Sequence, residues 1–75
     1  ELFIVQVGAF ADVFAVNVVR RKLEGIGLIT YTQAVNTKDG QRIRVRVGPF
    51  TSRDEAQKAA DRAKSLGLAG AVLTL

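Results

Sequence analysis

The chain has 75 residues, 48% of them hydrophobic, with 11 Lys+Arg against 7 Asp+Glu for a net charge of +4. That length holds one small domain with one core, near the size where stability depends on efficient packing. With neither cysteine nor histidine, the sequence offers no disulfide scaffold, no zinc-type metal site and none of the common nucleophile and base pairings, and its positive balance favours an anionic partner. No run of 18 apolar residues occurs, and no basic stretch precedes an apolar one at the N-terminus, so neither a membrane span nor a signal peptide is visible. Because the chain opens almost directly on a strand, residues 1–75 are expected to be a single domain cut from a longer protein.

Leu2 to Val7 reads as the first strand, interrupted only by Gln6, and Gly8 is expected to end it, as Gly48 is to end the strand that runs up to Val47. Asp12 can cap a helix in which Val16, Val19, Leu23 and Ile26 share one stripe, while Phe14 and Val18 are spaced i, i+4 on another side. Gly25 and Gly27 stop that helix. Leu28 to Val35 reads as a second strand, with Leu28 turned inward and Ile29, Tyr31 and Gln33 outward. Asp39-Gly40 makes a hairpin turn. It leads into Arg42-Ile43-Arg44-Val45-Arg46-Val47-Gly48-Pro49-Phe50. There strict alternation puts Ile43, Val45 and Val47 on one face and Arg42, Arg44 and Arg46 on the other. Ser52-Arg53-Asp54-Glu55 has the form of a capping box, and the helix it opens carries Ala56, Ala59, Ala63 and Leu66 on its inner stripe. Ala71 to Leu75 is a last strand in which almost every residue is apolar, so alternation does not set its phase.

An internal repeat organises these elements. Val5-Gln6-Val7-Gly8-Ala9-Phe10 recurs as Val45-Arg46-Val47-Gly48-Pro49-Phe50, and the same offset carries Ile26-Gly27-Leu28 onto Leu66-Gly67-Leu68. Two such halves give β-α-β-β-α-β, an α+β domain of the ferredoxin or ribonucleoprotein type, with a four-stranded antiparallel sheet and two helices on one of its faces. By the repeat, Val5 and Val7 face the core like Val45 and Val47, leaving Ile4 and Gln6 on the arginine face. A row of guanidinium groups on a face that no helix covers is a shallow cationic platform for an extended anionic or hydroxyl-rich ligand. The plainer reading is a solvated sheet face with ordinary basic side chains. Tyr31 is likewise either a stacking surface or an amphipathic filler of the sheet edge.

The paired strand-Gly-x-Phe units, above all the string Arg44-Val45-Arg46-Val47-Gly48-Pro49-Phe50, each followed by a capped amphipathic helix and a Gly-Leu stop, resemble the SPOR (sporulation-related repeat) domain over essentially the whole chain. The resemblance implies a non-catalytic domain that binds septal peptidoglycan, specifically glycan strands lacking stem peptides, through its open sheet face. It also implies a periplasmic or envelope location at the division septum, as part of a membrane-anchored or secreted protein whose other domains can include a cell-wall hydrolase, and it implies no cofactor. Carried over by position, the family's binding glutamine falls on Gln6 and its binding arginine on Arg44. A third contact, often serine, falls on Ala9, which lacks the hydroxyl, and a position where some members carry tryptophan falls on Arg42. A hydrophobic contact on the last strand falls on Val72. Arg42 and Arg46 would support Arg44 against the lactyl carboxylate that amidase action exposes on each muramic residue. Ile4 and Val72 would supply apolar surface, and Tyr31 is then the one aromatic available to a sugar ring.

Two other readings come from different classes. The same topology with an open sheet and positive charge describes a module for single-stranded nucleic acid, but those stack bases on sheet aromatics, whereas here the central strands offer Gln6 and arginines. A structural interaction domain would use Phe14 and Val18 to bind a protein partner. An enzymatic role fits poorly, because Asp12, Asp54 and Glu55 begin helices, Asp39 lies in a turn, and no carboxylate pair is evidently placed across a cleft.

Overall fold

The computed structural model describes residues Glu1–Leu75. Six elements follow in the expected order: β1 (Phe3–Phe10), α1 (Val13–Glu24), β2 (Thr30–Thr37), β3 (Gly40–Phe50), α2 (Arg53–Ser65) and β4 (Ala71–Thr74). The strands form one antiparallel sheet in the order β2-β3-β1-β4. The two Gly-x-Phe strands are therefore the central pair. Gln6 and Arg46, which correspond in the repeat, face each other across it.

Both helices lie on the same side of the sheet. Phe3, Val5 and Val7 of β1 and Val45 and Val47 of β3 form one buried cluster with Val16, Val19 and Leu23 of α1 and Ala56, Ala59, Ala60 and Ala63 of α2. Burying each of the larger aliphatic side chains contributes about 1.5–3 kcal/mol, so this single face carries most of the stability. The helices fill their share of the space differently. The repeat matches Val16, Val19 and Leu23 with Ala56, Ala59 and Ala63, and the short alanines let α2 sit close to the sheet. At the start of β4, a Cβ added to Gly70 would come within 2.6 Å of the Ala60 carbonyl oxygen.

Local chemistry fixes the helix ends. Asp12 Oδ1 accepts from Phe14 N at 2.9 Å, and Ser52 Oγ accepts from Glu55 N at 3.1 Å. The reciprocal bond of a capping box is not made, and Glu55 stays exposed to water. Both C-termini close with the same motif: Leu28 N donates to Leu23 O at 3.1 Å and Gly27 N to Glu24 O at 3.0 Å, and Leu68 and Gly67 repeat the pattern on Ala63 and Lys64, both at 3.0 Å. The closing residue needs a left-handed backbone, supplied by Gly27 at φ 86° and Gly67 at φ 80°. Where α1 meets the sheet, the buried Thr30 hydroxyl donates to Glu24 Oε2 at 2.5 Å and accepts from Arg20 Nε at 2.9 Å. That buried polar group is fully satisfied.

Two expectations are corrected at the strand ends. Gly8 and Gly48 do not terminate their strands, which continue to Phe10 and Phe50. Instead each glycine sits at a register irregularity, between Gln6 and Gly8 on β1 and opposite the Phe3 to Val5 step on β3. The Phe two residues on lies against the bare glycine: a Cβ on Gly8 would meet Phe10 Cζ at 2.6 Å, and one on Gly48 would meet Phe50 Cδ2 at 3.2 Å. The Gly-x-Phe motif is thus a bulge with an aromatic ring in place of the missing side chain. The second strand begins at Thr30 rather than Leu28, because Leu28 is held in the closing turn of α1.

Candidate functional site

The sheet face opposite the helices is built by cross-strand register. Tyr31 pairs with Arg46, Arg46 with Gln6 and Gln6 with Ala71, so one row crosses all four strands. Beside it Gln33 pairs with Arg44 and Arg44 with Ala9, and further along Val35 pairs with Arg42. On the other side Ile4 pairs with Leu73. The bulge before Gly8 puts Ala9 on this face, since without the extra residue strict alternation would turn it toward the helices.

The three arginines of β3 are half-buried, with their stems lying along the sheet. Arg46 Nε donates to Gln6 Oε1 at 3.1 Å. This bond uses the acceptor end of the Gln6 amide, so Gln6 presents its NH2 donors outward. Arg42 Nη1 donates to the Gln41 carbonyl at 3.0 Å. Arg44 has no protein partner and stands free between Gln33 and Ala9. No carboxylate shares this face: the seven acidic residues lie at the N-terminus, in or at the start of the helices, and in the β2–β3 turn. The one ion pair of the molecule, Arg20 to Glu24 at 3.5 Å, is within α1. Three guanidinium groups therefore remain uncompensated in a row along one strand, a fixed cationic strip.

Most of the anticipated positions meet here. Gln6, Ala9, Tyr31, Arg42, Arg44 and Arg46 share the face, but Gln6 lies directly opposite Arg46, and Arg44 opposite Ala9. Two positions need correction. Val72 pairs with Val5 and packs against the core, so it belongs to the helix side. The outward residue of β4 is Leu73, 39% exposed. The repeat held the signal that alternation lacked, since its offset carries the outward Tyr31 and Gln33 onto Ala71 and Leu73 and the inward Thr32 onto Val72. Ile4 does lie on the outward side, yet it is only 1% exposed and stands outside the core cluster. Its neighbours close over it, so it is the floor of the face and not a contact surface.

Other features lie elsewhere. Phe14 (75% exposed) and Val18 (39%) project from the solvent side of α1, away from the arginines. Phe3, Phe10 and Phe50 pack on the helix side, which leaves Tyr31 as the one aromatic residue of the open face. A cleft of about 150 Å³ between the α1–β2 turn and the end of β3 is lined by Gly27, Leu28, Ile29, Gly48, Pro49 and Phe50. It contains no titratable side chain. Neither cleft nor face brings together two carboxylates or a nucleophile with a base, and the arrangement is suited to holding a ligand.

One open antiparallel sheet with two helices, in the order β-α-β-β-α-β, is the fold of SPOR domain structures. The SPOR family model matches residues 1–74, and the chain belongs to that family. It is 35% identical over 74 residues to the cell division protein DedD of Escherichia coli, covering 97% of this chain and 34% of that protein. The chain thus spans about a third of the length of that relative. Among solved structures, the SPOR domain of RlpA from Pseudomonas aeruginosa superposes with a TM-score of 0.84 at 27% identity, with both chains fully covered. The peptidoglycan binding domain of the B. subtilis cell wall lytic enzyme CwlC gives a TM-score of 0.75 at 32% identity, covering 96% of this chain and 86% of that one.

Proposed function

We propose that this domain binds bacterial peptidoglycan without catalysing its cleavage, and that its ligand is the glycan strand stripped of stem peptides at the division septum. The observation that carries the reading is the uncompensated Arg42, Arg44 and Arg46 row beside Gln6 on a face that no helix covers. A stripped glycan strand exposes hydroxyls, acetamido groups and, on each muramic residue, a lactyl carboxylate. Arg44, free of any protein partner, is placed to take that carboxylate through two parallel N–H donors. The NH2 of Gln6, held outward by the Arg46 bond, suits an acetamido or hydroxyl oxygen, while Tyr31 and Leu73 border the row with apolar surface. Kinship with a domain named for peptidoglycan binding and with a cell division protein supports both ligand and setting. On this reading the domain works in the periplasm or cell envelope, carried by a larger membrane-anchored or secreted protein.

Each exposed charge contact is worth only about 0–1 kcal/mol, so the affinity of one domain for one strand is expected to be weak and to gain from many strands presented together. The test is co-sedimentation with isolated sacculi before and after amidase treatment. Binding should rise on treatment, fall several-fold for Arg44→Ala, and fall with added salt. Equal binding to treated and untreated sacculi would overturn the stripped-strand preference. Equal binding by Arg44→Ala would overturn the assigned face, and a preference for single-stranded oligonucleotides over sacculi in competition would overturn the ligand class.

A further inference from the structure

The strand at the β2 edge of the sheet is not protected in the usual way. Edge strands normally carry a lysine, a proline or a bulge that discourages another chain from pairing with their free backbone groups. β2 runs for eight residues, Thr-Tyr-Thr-Gln-Ala-Val-Asn-Thr, with no charge, no proline and no register shift against β3. Thr32, Gln33 and Ala34 are exposed along it. The chain has 11 Lys+Arg, and none of them falls on β2. The opposite edge, β4, offers only four residues.

We propose that β2 pairs antiparallel with β2 of a second copy, about a two-fold axis perpendicular to the sheet, so that the two helix-free faces form one continuous platform. The self-complementarity of the strand supports this. Side chains alternate, so the pairing must set residues of the same face opposite each other. A register centred on Gln33 does so, placing Tyr31 against Val35 of the second copy on the open face and Thr32 against Ala34 on the other. An aromatic ring opposite a β-branched residue is a favourable cross-strand pair. The same register sets Ile29, 77% exposed in the single chain, against Thr37. Such a contact is isologous and closes after two copies, whereas β2 against β4 would be head-to-tail and would propagate. The arginine strands of the two copies would lie three strand spacings apart, about 14 Å. That exceeds the roughly 8 Å screening length at physiological salt, so the like charges do not forbid the pair. If the glycan reading holds, on which only this consequence rests, the two-fold axis would have the two copies hold two sugar strands side by side, running in opposite directions.

The test needs no glycan. Sedimentation from roughly 10 μM to 1 mM should show the apparent mass approaching twice that of one chain. Amide resonances of residues 30–37 should shift with concentration, and isotope-filtered spectra should connect the Tyr31 ring of one copy to Val35 methyls of the other. The double variant Thr32→Lys with Ala34→Lys, two exposed positions off the arginine face, sets like charges directly opposite. It should remain monomeric with an unchanged melting temperature. Mixing that variant with the double variant Thr32→Glu with Ala34→Glu, which sets opposite charges at both positions, should restore a mixed dimer. A single-chain mass throughout the range would overturn the proposal, as would concentration-dependent shifts confined to α1 or β4. Sacculus binding by the double-lysine variant checks the glycan reading separately, so either idea can fail alone.

Discussion

The two halves of the open face, related by the internal repeat, share one arrangement of strands and carry opposite chemistry. Arg42 and Arg44 in the second half correspond to Leu2 and Ile4 in the first, and Tyr31 and Gln33 beside β3 correspond to Ala71 and Leu73 beside β1. One half is cationic and polar; the other is apolar. The helix side diverged along a different axis, in size and not polarity, with Val16, Val19 and Leu23 of α1 standing where α2 has three alanines. Duplication thus kept what closes the fold, namely the Gly-x-Phe bulges and the Gly-Leu helix stops, and left the chemistry of the open face free to vary.

That comparison can be broken first in the core. Leu23→Ala would give α1 the side chain that α2 carries at the matching site, and because Leu23 is 0% exposed, the cavity should cost about 2–5 kcal/mol in denaturant unfolding. The converse exchange, Ala63→Leu, forces a larger side chain under the closely seated α2. It should cost about 1–3 kcal/mol, read from the same curves. Equal tolerance of the two exchanges would mean that the helices are not seated at different depths.

On β4 a neighbouring pair sharpens the assignment of faces. Val72→Ala should destabilise by about 1 kcal/mol with sacculus binding intact wherever the domain is folded. Leu73→Ala should leave the melting temperature nearly unchanged and weaken binding. The reverse pattern would put β4 in the opposite phase. The smallest effect belongs to the central pair. Gln6→Ala and Arg46→Ala should each weaken binding several-fold, and a double-mutant cycle on stability should return a coupling of about 0.2–1 kcal/mol for their bond. A coupling of zero would mean that Arg46 does not hold the Gln6 amide in solution.

Much of this architecture was legible in the sequence because the signals were periodic. The alternation of Arg42 to Val47 fixed a strand and its faces, Asp12 and Ser52 marked helix starts, and the repeated Gly-x-Phe strings revealed the duplication and with it the topology. The bulges were not legible as such, since a glycine after a strand pattern reads equally well as an end, and only pairing across the sheet shows the strand continuing. The face of Val72 is not legible within β4 itself, where Ala71, Val72 and Leu73 are all apolar and carry no alternation. Ile4 was given the correct side but the wrong accessibility, which depends on how its neighbours lean. Which residues of that face stand opposite each other, Gln6 with Arg46 and Ala9 with Arg44, follows from an offset between strands that no single strand encodes.

The near-symmetry of the scaffold bears on how a polymer would lie on it. The approximate two-fold relation between the halves passes through the Gln6 and Arg46 pair, where a neutral amide meets a cation. A perfectly duplicated surface would accept a chain and its reversed copy equally well. With the symmetry broken at its axis and on either side of it, the surface distinguishes head from tail, and a strand with a reducing and a non-reducing end should settle on it in one direction only.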